Sequence, residues 1–324
     1  MGCQFLAKVN MDLESLGKEL SNDHLDLTPG LLGHLSGLSR NQNDELYEIF
    51  ASISVTRRRK ILNSLVLMSE ENIELDFLQV FCMALRDNDE EVRVCAAGGL
   101  WETTDRNAIE PLINSLENDQ SFDVRAAAAV ALAHFVDLLV EGKLIKSDVD
   151  RLYSSLSNTL ENDKNELLVR RRALEALAVM NSNLLDDWIL WAYRYENLEM
   201  KQSALFSMGR SCDIKWMGII MDELESTEPS LRYEAANAAR EIAEPEALPV
   251  LHDLVTDSDS QVAIAAVHAI GGIGGVNAKK LLRNYIENLD PPVAEAAEEA
   301  LKVLDSEDAD FSSITTQEDY LDEL

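Results

Sequence analysis

Apolar residues recur along this chain at two nested periods. Val92, Val124, Val169, Met200, Leu231, Val262 and Val293 follow one another at spacings of 32, 45, 31, 31, 31 and 31 residues. Four residues after each stands an alanine: Ala96, Ala128, Ala173, Ala204, Ala235, Ala266 and Ala297. Eight residues after each stand Leu100, Leu132, Leu177, Met208, Ala239, Ile270 and Leu301. Positions i, i+4 and i+8 share one face of an α-helix. Each unit is therefore predicted to open with a helix whose buried stripe passes through a small residue, which lets the next helix come close. Three residues before each anchor stand Asp89, Ser121, Glu166, Asn197, Glu228, Asp259 and Asp290, five of them favoured N-cap types. Pro229 and Pro291 follow at the first helical position, where a missing N–H costs nothing.

A second helix is predicted in every unit. Its apolar columns read Leu112, Ile189, Ile220, Leu251 and Leu282, then Leu116, Tyr193, Leu224, Val255 and Ile286. Such a helix–turn–helix pair cannot bury its face alone and must stack on its neighbours. The pattern predicts an N-terminal extension of little order over 1–25 and an irregular leading segment over 26–86. Within that segment, helices are expected from Thr28-Pro29, over 41–53, over 57–67 and within 72–86. Regular repeats fill 87–304, with an insertion near 139–150 that lengthens one unit. Residues 305–324 hold eight carboxylates and no Lys or Arg, and are expected to be an acidic, disordered tail.

The pattern Asp-x-x-Val-Arg-x-x-Ala-x-x-x-Leu resembles HEAT repeats, and its short period is similar to the bilin-lyase (phycobilisome lyase) HEAT-like subfamily. Arg93, Arg125, Arg170, Lys201 and Arg232, one residue after their anchors, carry the resemblance. It implies an all-α, right-handed α-solenoid of stacked helix–turn–helix repeats, with the second helices lining the concave surface. The basic column is expected to bridge to carboxylates near the repeat starts. Ala263 and Ala294 interrupt it in the last two copies, and Glu295, Glu298 and Glu299 fit a polar terminal cap.

Composition narrows the function. A formal net charge of −31, from 28 basic and 59 acidic residues, opposes default binding to a phosphate backbone. No apolar run is long enough for a membrane span. Cys3, Cys82, Cys95 and Cys212 are scattered, which reads as reduced thiols in a cytoplasmic protein. No secretory signal is evident, so the closing Leu-Asp-Glu-Leu is expected to be coincidental. Met1-Gly2-Cys3 meets Leu6 where a myristoylation motif wants Ser or Thr, and Met11 is an alternative start.

No catalytic constellation stands out. Some HEAT-like proteins are di-iron hydroxylases with His-Glu ligand pairs, but none of His24, His34, His134, His252 and His268 is followed by Glu. His252 and His268 could approach, yet a metal site needs three or more converging ligands. Gly271-Gly272-Ile273-Gly274-Gly275 follows a helix rather than a strand, so an interhelix turn is expected. Arg57-Arg58-Arg59-Lys60 is the single basic run and reads as a solvated or salt-bridged helix start.

Stacking the second helices leaves one face polar. Its columns supply Glu110, Asn114, Glu117, Asp187, Trp191, Arg194, Asp222, Glu225, Asp253, Asn284 and Glu287 as a candidate partner-binding ridge, largely acidic. Trp191 breaks its column. Trp188 runs with Ile219, Val250 and Leu281, and Trp216 with Leu185, Ala247 and Ala278, both expected in the core. Trp191 would anchor a partner or pack beneath its neighbours. The leading expectation is a non-catalytic scaffold or adaptor, without cofactor or metal, holding a protein partner with a basic segment along the concave face. A bilin-lyase-type or tetrapyrrole-handling subunit is the alternative, resting on the resemblance alone. Nucleic-acid repair is a third reading, opposed by charge.

Overall fold

The computed structural model describes residues 11–180 and 182–321, and every regular element among them is helical. Contacts divide the chain into two compact units, one ending at Leu177 and the other starting at Ala178. The first holds α1 (Leu13–Leu20), α2 (Pro29–Leu32), α3 (Asn43–Ser52), α4 (Val55–Glu71), α5 (Leu78–Ala84), α6 (Glu90–Gly98), α7 (Ile109–Asn118), α8 (Phe122–Val140), α9 (Lys146–Glu161) and α10 (Leu167–Leu177). Here α2, α4, α6, α8 and α10 pack in succession. On their other side α1, α3 and α5 follow one another, and α7 packs on α9.

The second unit holds α11 (Asn183–Tyr193), α12 (Leu198–Arg210), α13 (Met217–Leu224), α14 (Pro229–Ile242), α15 (Leu248–Leu254), α16 (Ser260–Ile273), α17 (Gly275–Asn288) and α18 (Pro291–Leu321). The first helices α12, α14, α16 and α18 pack in succession, and α11, α13, α15 and α17 each pack on the first helix that follows. Both units are thus α-solenoid stacks of helix pairs.

All seven aligned alanines are fully buried. Their role is to remove volume where first helices meet. The same logic governs Gly209, where an added Cβ would stand 2.7 Å from the Cα of Ala238 on α14. At Gly271 it would stand 2.8 Å from the Cβ of Ala300 on α18. The glycine-rich stretch therefore divides. Gly271 and Gly272 belong to the last turn of α16, and Gly274 (φ +69°) and Gly275 (φ +80°) make the turn that was expected of the whole.

The helix starts follow the capping pattern. Side chains of Asp89, Ser121, Asn197 and Asp259 accept from the backbone N–H of Val92, Val124, Met200 and Gln261, respectively. Glu228 occupies the same position on α14 without a side-chain cap. Its carboxylate stands one methylene further from the backbone than that of Asp.

The basic column is spent inside the units. Arg93 forks onto Asp119 at 2.7 and 2.9 Å, and Arg232 onto Asp257 at 2.7 and 2.8 Å. Each of these carboxylates lies two residues before an N-cap and accepts that residue's N–H, Asp119 from Ser121 and Asp257 from Asp259. An arginine of one repeat thereby fixes the entry into the next. Arg125 reaches Asn165 across the insertion, and Lys201 turns to Glu223. The hydrogen bond from Arg232 holds the Asp257 carboxyl below its ordinary range.

One expectation narrows and two change. Of the two readings of the basic run, the salt-bridged helix start holds and the solvated one does not: Arg57 and Arg58 are buried, Arg57 donating to the carbonyls of Leu20 and Leu25 and Arg58 to Ile53 and, as an ion pair, to Asp87. Arg59 forks onto Asp89. The segment expected to lack order over 1–25 contains α1, with Leu13, Leu16 and Leu20 buried, while residues 1–10 lie outside the described residues. The 305–324 tail, expected as disordered, continues α18 through Leu321, with 322–324 outside the described residues. The insertion appears as a 19-residue α8 and a 16-residue α9.

Candidate partner-binding surface

In the second unit the buried stripe of the second helices runs through Leu185 and Ile189 on α11, Ile220 and Leu224 on α13, Leu251 on α15 and Leu282 on α17. The opposite face must then meet water. Asp187, Asp222, Glu225, Asp253 and Glu287 are all exposed there, as are Arg194 and Asn284. None of the five carboxylates makes a side-chain hydrogen bond or ion pair with another side chain among the described residues. Trp191 is half-buried, its ring 5.2 Å from that of Tyr195. Trp216 is buried as expected, whereas Trp188, Ile219, Val250 and Leu281 form a half-buried column at the edge of the core.

Polar rungs beneath this surface fix the helices that carry it. Tyr193 donates its hydroxyl to Glu223 at 2.6 Å, and Lys201 pairs with the same carboxylate at 2.6 Å while lying over the Tyr193 ring. Burial, reinforced by Glu223, keeps the Tyr193 hydroxyl protonated well above its usual range. His252 Nδ1 lies 2.6 Å from the Tyr285 hydroxyl with the two rings stacked, so His252 joins α15 to α17 rather than approaching His268 as a ligand. Burial pushes Tyr285 up to about 12.

The first unit departs from an acidic ridge. Glu110, Asn114 and Glu117 on α7 are exposed as predicted. Arg151 of α9, however, forks onto Glu117 at 2.8 and 2.9 Å and lies 3.7 Å from Glu110. That guanidinium holds the Glu117 carboxyl below its ordinary range. Arg106 pairs with Asp148 on the same helix. Column reasoning missed these arginine contacts because α9 carries the insertion and has no aligned counterpart. The signal was a basic residue, Arg151, on a helix next to two exposed glutamates.

Among the described residues no three His, Cys, Asp or Glu side chains gather as metal donors. Burial raises the Cys82 thiol to about 12 and the Cys95 thiol to about 11, so both stay protonated at neutral pH. Cys3 lies outside the described residues. No helix among them is long and apolar enough to cross a membrane.

The HEAT-repeat profile matches residues 78–178 and 219–302, more than half of the chain. Among curated proteins, deoxyhypusine hydroxylase of Mus musculus is 29% identical over 119 residues, and that of Homo sapiens is 29% identical over 111. These matches cover 36% and 34% of this chain, and only 39% and 37% of those relatives. Among solved structures, yeast importin-beta (Kap95p) superposes with a TM-score of 0.52 at 13% identity, over 90% of this chain and 46% of that one. The CpcE–CpcF complex of phycocyanin lyase from Nostoc sp. PCC7120 gives 0.49 at 17% identity, over 70% and 94%. The hydroxylase matches correct one expectation: a chain without enzymatic activity was inferred from missing His-Glu pairs, and its curated relatives are enzymes. With the repeat profile over most of the regular stack and the paired-helix architecture beneath it, the chain belongs to the HEAT-repeat family.

Proposed function

We propose that this chain is a repeat scaffold that holds a protein partner through a basic segment laid on the second-helix surface of the second unit. The observation that carries this reading is the row of five exposed carboxylates that pair with no other side chain among the described residues, Asp187, Asp222, Glu225, Asp253 and Glu287, beside the half-buried Trp191. Some carboxylates of the chain are neutralised by internal ion pairs, as at Arg93–Asp119 and Arg232–Asp257. Here they are left to the solvent and raise the local concentration of cations. Such a field accelerates encounter and selects partners, while a large aromatic ring supplies contact area.

The test uses a fluorescein-labelled basic peptide of alternating lysine and glycine with the full chain. Reversing Asp222, Glu225 and Asp253 to Lys should weaken binding about tenfold or more at low salt. Trp191→Ala should weaken it by a smaller factor that persists at high salt. Equal affinity for the wild type and the triple variant, with both shown folded by circular dichroism, would end the proposal.

A further inference from the structure

We propose that a cationic groove in the first unit, walled by Arg40, Arg86 and Arg106, binds an acidic, extended segment of a protein partner. The groove encloses about 580 Å³ and draws its walls from three places in the chain. Arg40 opens the short turn before α3, Arg86 follows the end of α5, and Arg106 begins the turn into α7. Met83, Leu85 and Pro111 supply apolar lining.

Charge sets this groove apart. In a chain with a formal charge of −31, its lining has three arginines and one carboxylate, Glu110, which lies 3.7 Å from Arg151. The three guanidiniums are spent to different degrees. Arg40 is exposed and its guanidinium makes no hydrogen bond or ion pair among the described residues. Arg86 is exposed, with its Cζ 5.4 Å from the centroid of the Tyr47 ring, and its guanidinium makes no hydrogen bond or ion pair among the described residues. Arg106 is shared with Asp148.

Amides extend the pattern. Gln79, on the groove wall, accepts from Asn43 through Oε1 at 3.0 Å, and its Nε2 makes no hydrogen bond among the described residues. The Oδ1 of Asn43 is buried with no donor. Guanidinium forks match carboxylates in geometry as well as charge. A Gln79 amide N–H suits a backbone C=O of an extended segment. Because the arginines stand on separate elements, a ligand that engages all three must carry its carboxylates along a chain.

The experiment measures fluorescence anisotropy of a labelled oligoglutamate on the full chain at about 20 mM NaCl, where exposed charges are weakly screened. Arg40→Glu removes no internal contact and should weaken binding about fivefold; adding Arg86→Glu should bring the loss above about tenfold. Reversal of Asp222 and Glu225 in the second unit should leave this affinity within about twofold. That arm separates the groove from the acidic surface of the second unit, which is tested with a basic probe. Three results would overturn the proposal: no oligoglutamate binding by the wild type, unchanged binding by Arg40→Glu, or tighter binding of an oligothymidine of equal length.

Discussion

Gly209 marks a close approach of α12 and α14, and its surroundings show why small residues recur in this sequence. A methyl group there would stand 2.7 Å from the Cα of Ala238. A backbone atom cannot swing aside as a side-chain tip can, so the helices would have to part. Gly209→Ala is expected to destabilise the second unit by about 1–3 kcal/mol despite alanine's better helix propensity. Urea unfolding of the variant beside the wild type measures this, and an increase in stability would contradict the close approach. The alanine column was legible because a small residue at one register of every repeat has a single geometric purpose. Arg57 to Lys60 were legible only as a solvated or salt-bridged helix start; the ion pairs of Arg58 and Arg59 fit the second reading, while the carbonyls of Leu20, Leu25 and Ile53 that converge on Arg57 and Arg58 had no signal in the run itself.

Helices begin where a side chain can take up a free backbone N–H, and the capping residues announce most of these starts. Asn197 accepts from the Met200 N–H at 2.9 Å, so Asn197→Ala should cost about 1 kcal/mol. Glu228 holds the equivalent position on α14 without that bond. Glu228→Ser supplies a hydroxyl at the right distance and should raise stability by about 0.5–1 kcal/mol. Thermal unfolding of the two variants should show shifts of opposite sign. The insertion is the element whose consequence the repeat pattern hid. A longer α8 and α9 could be inferred from a 45-residue spacing. The placement of Arg151 against Glu117 and Glu110 depended on packing between helices with no aligned counterpart.

Across the whole chain, acidic residues outnumber basic ones by 59 to 28. Many of the basic ones are committed to internal bonds, which leaves the acidic excess to repel itself over the surface. Raising NaCl from about 10 to about 150 mM should therefore raise the Tm, because screening relieves that repulsion. A fall would mean that the surface ion pairs outweigh it. Net charge says nothing of where the excess lies. The structure places exposed carboxylates without ion pairs among the described residues on the second helices of the second unit, and an arginine-walled groove in the first.

The sequence by itself determined the repeat, its helix pairs, most caps and the buried stripe, since these follow from local periodicity and from what each residue can do for its own helix. It also marked which second-helix positions face water. Tertiary structure alone decided which exposed charges are neutralised. The repeat register pointed the basic column at carboxylates near the repeat starts, as at Arg93–Asp119, but pairing off that register depends on distances of a few ångströms between residues 34 positions apart, as in Arg151–Glu117. A column of aligned letters carries no such distance.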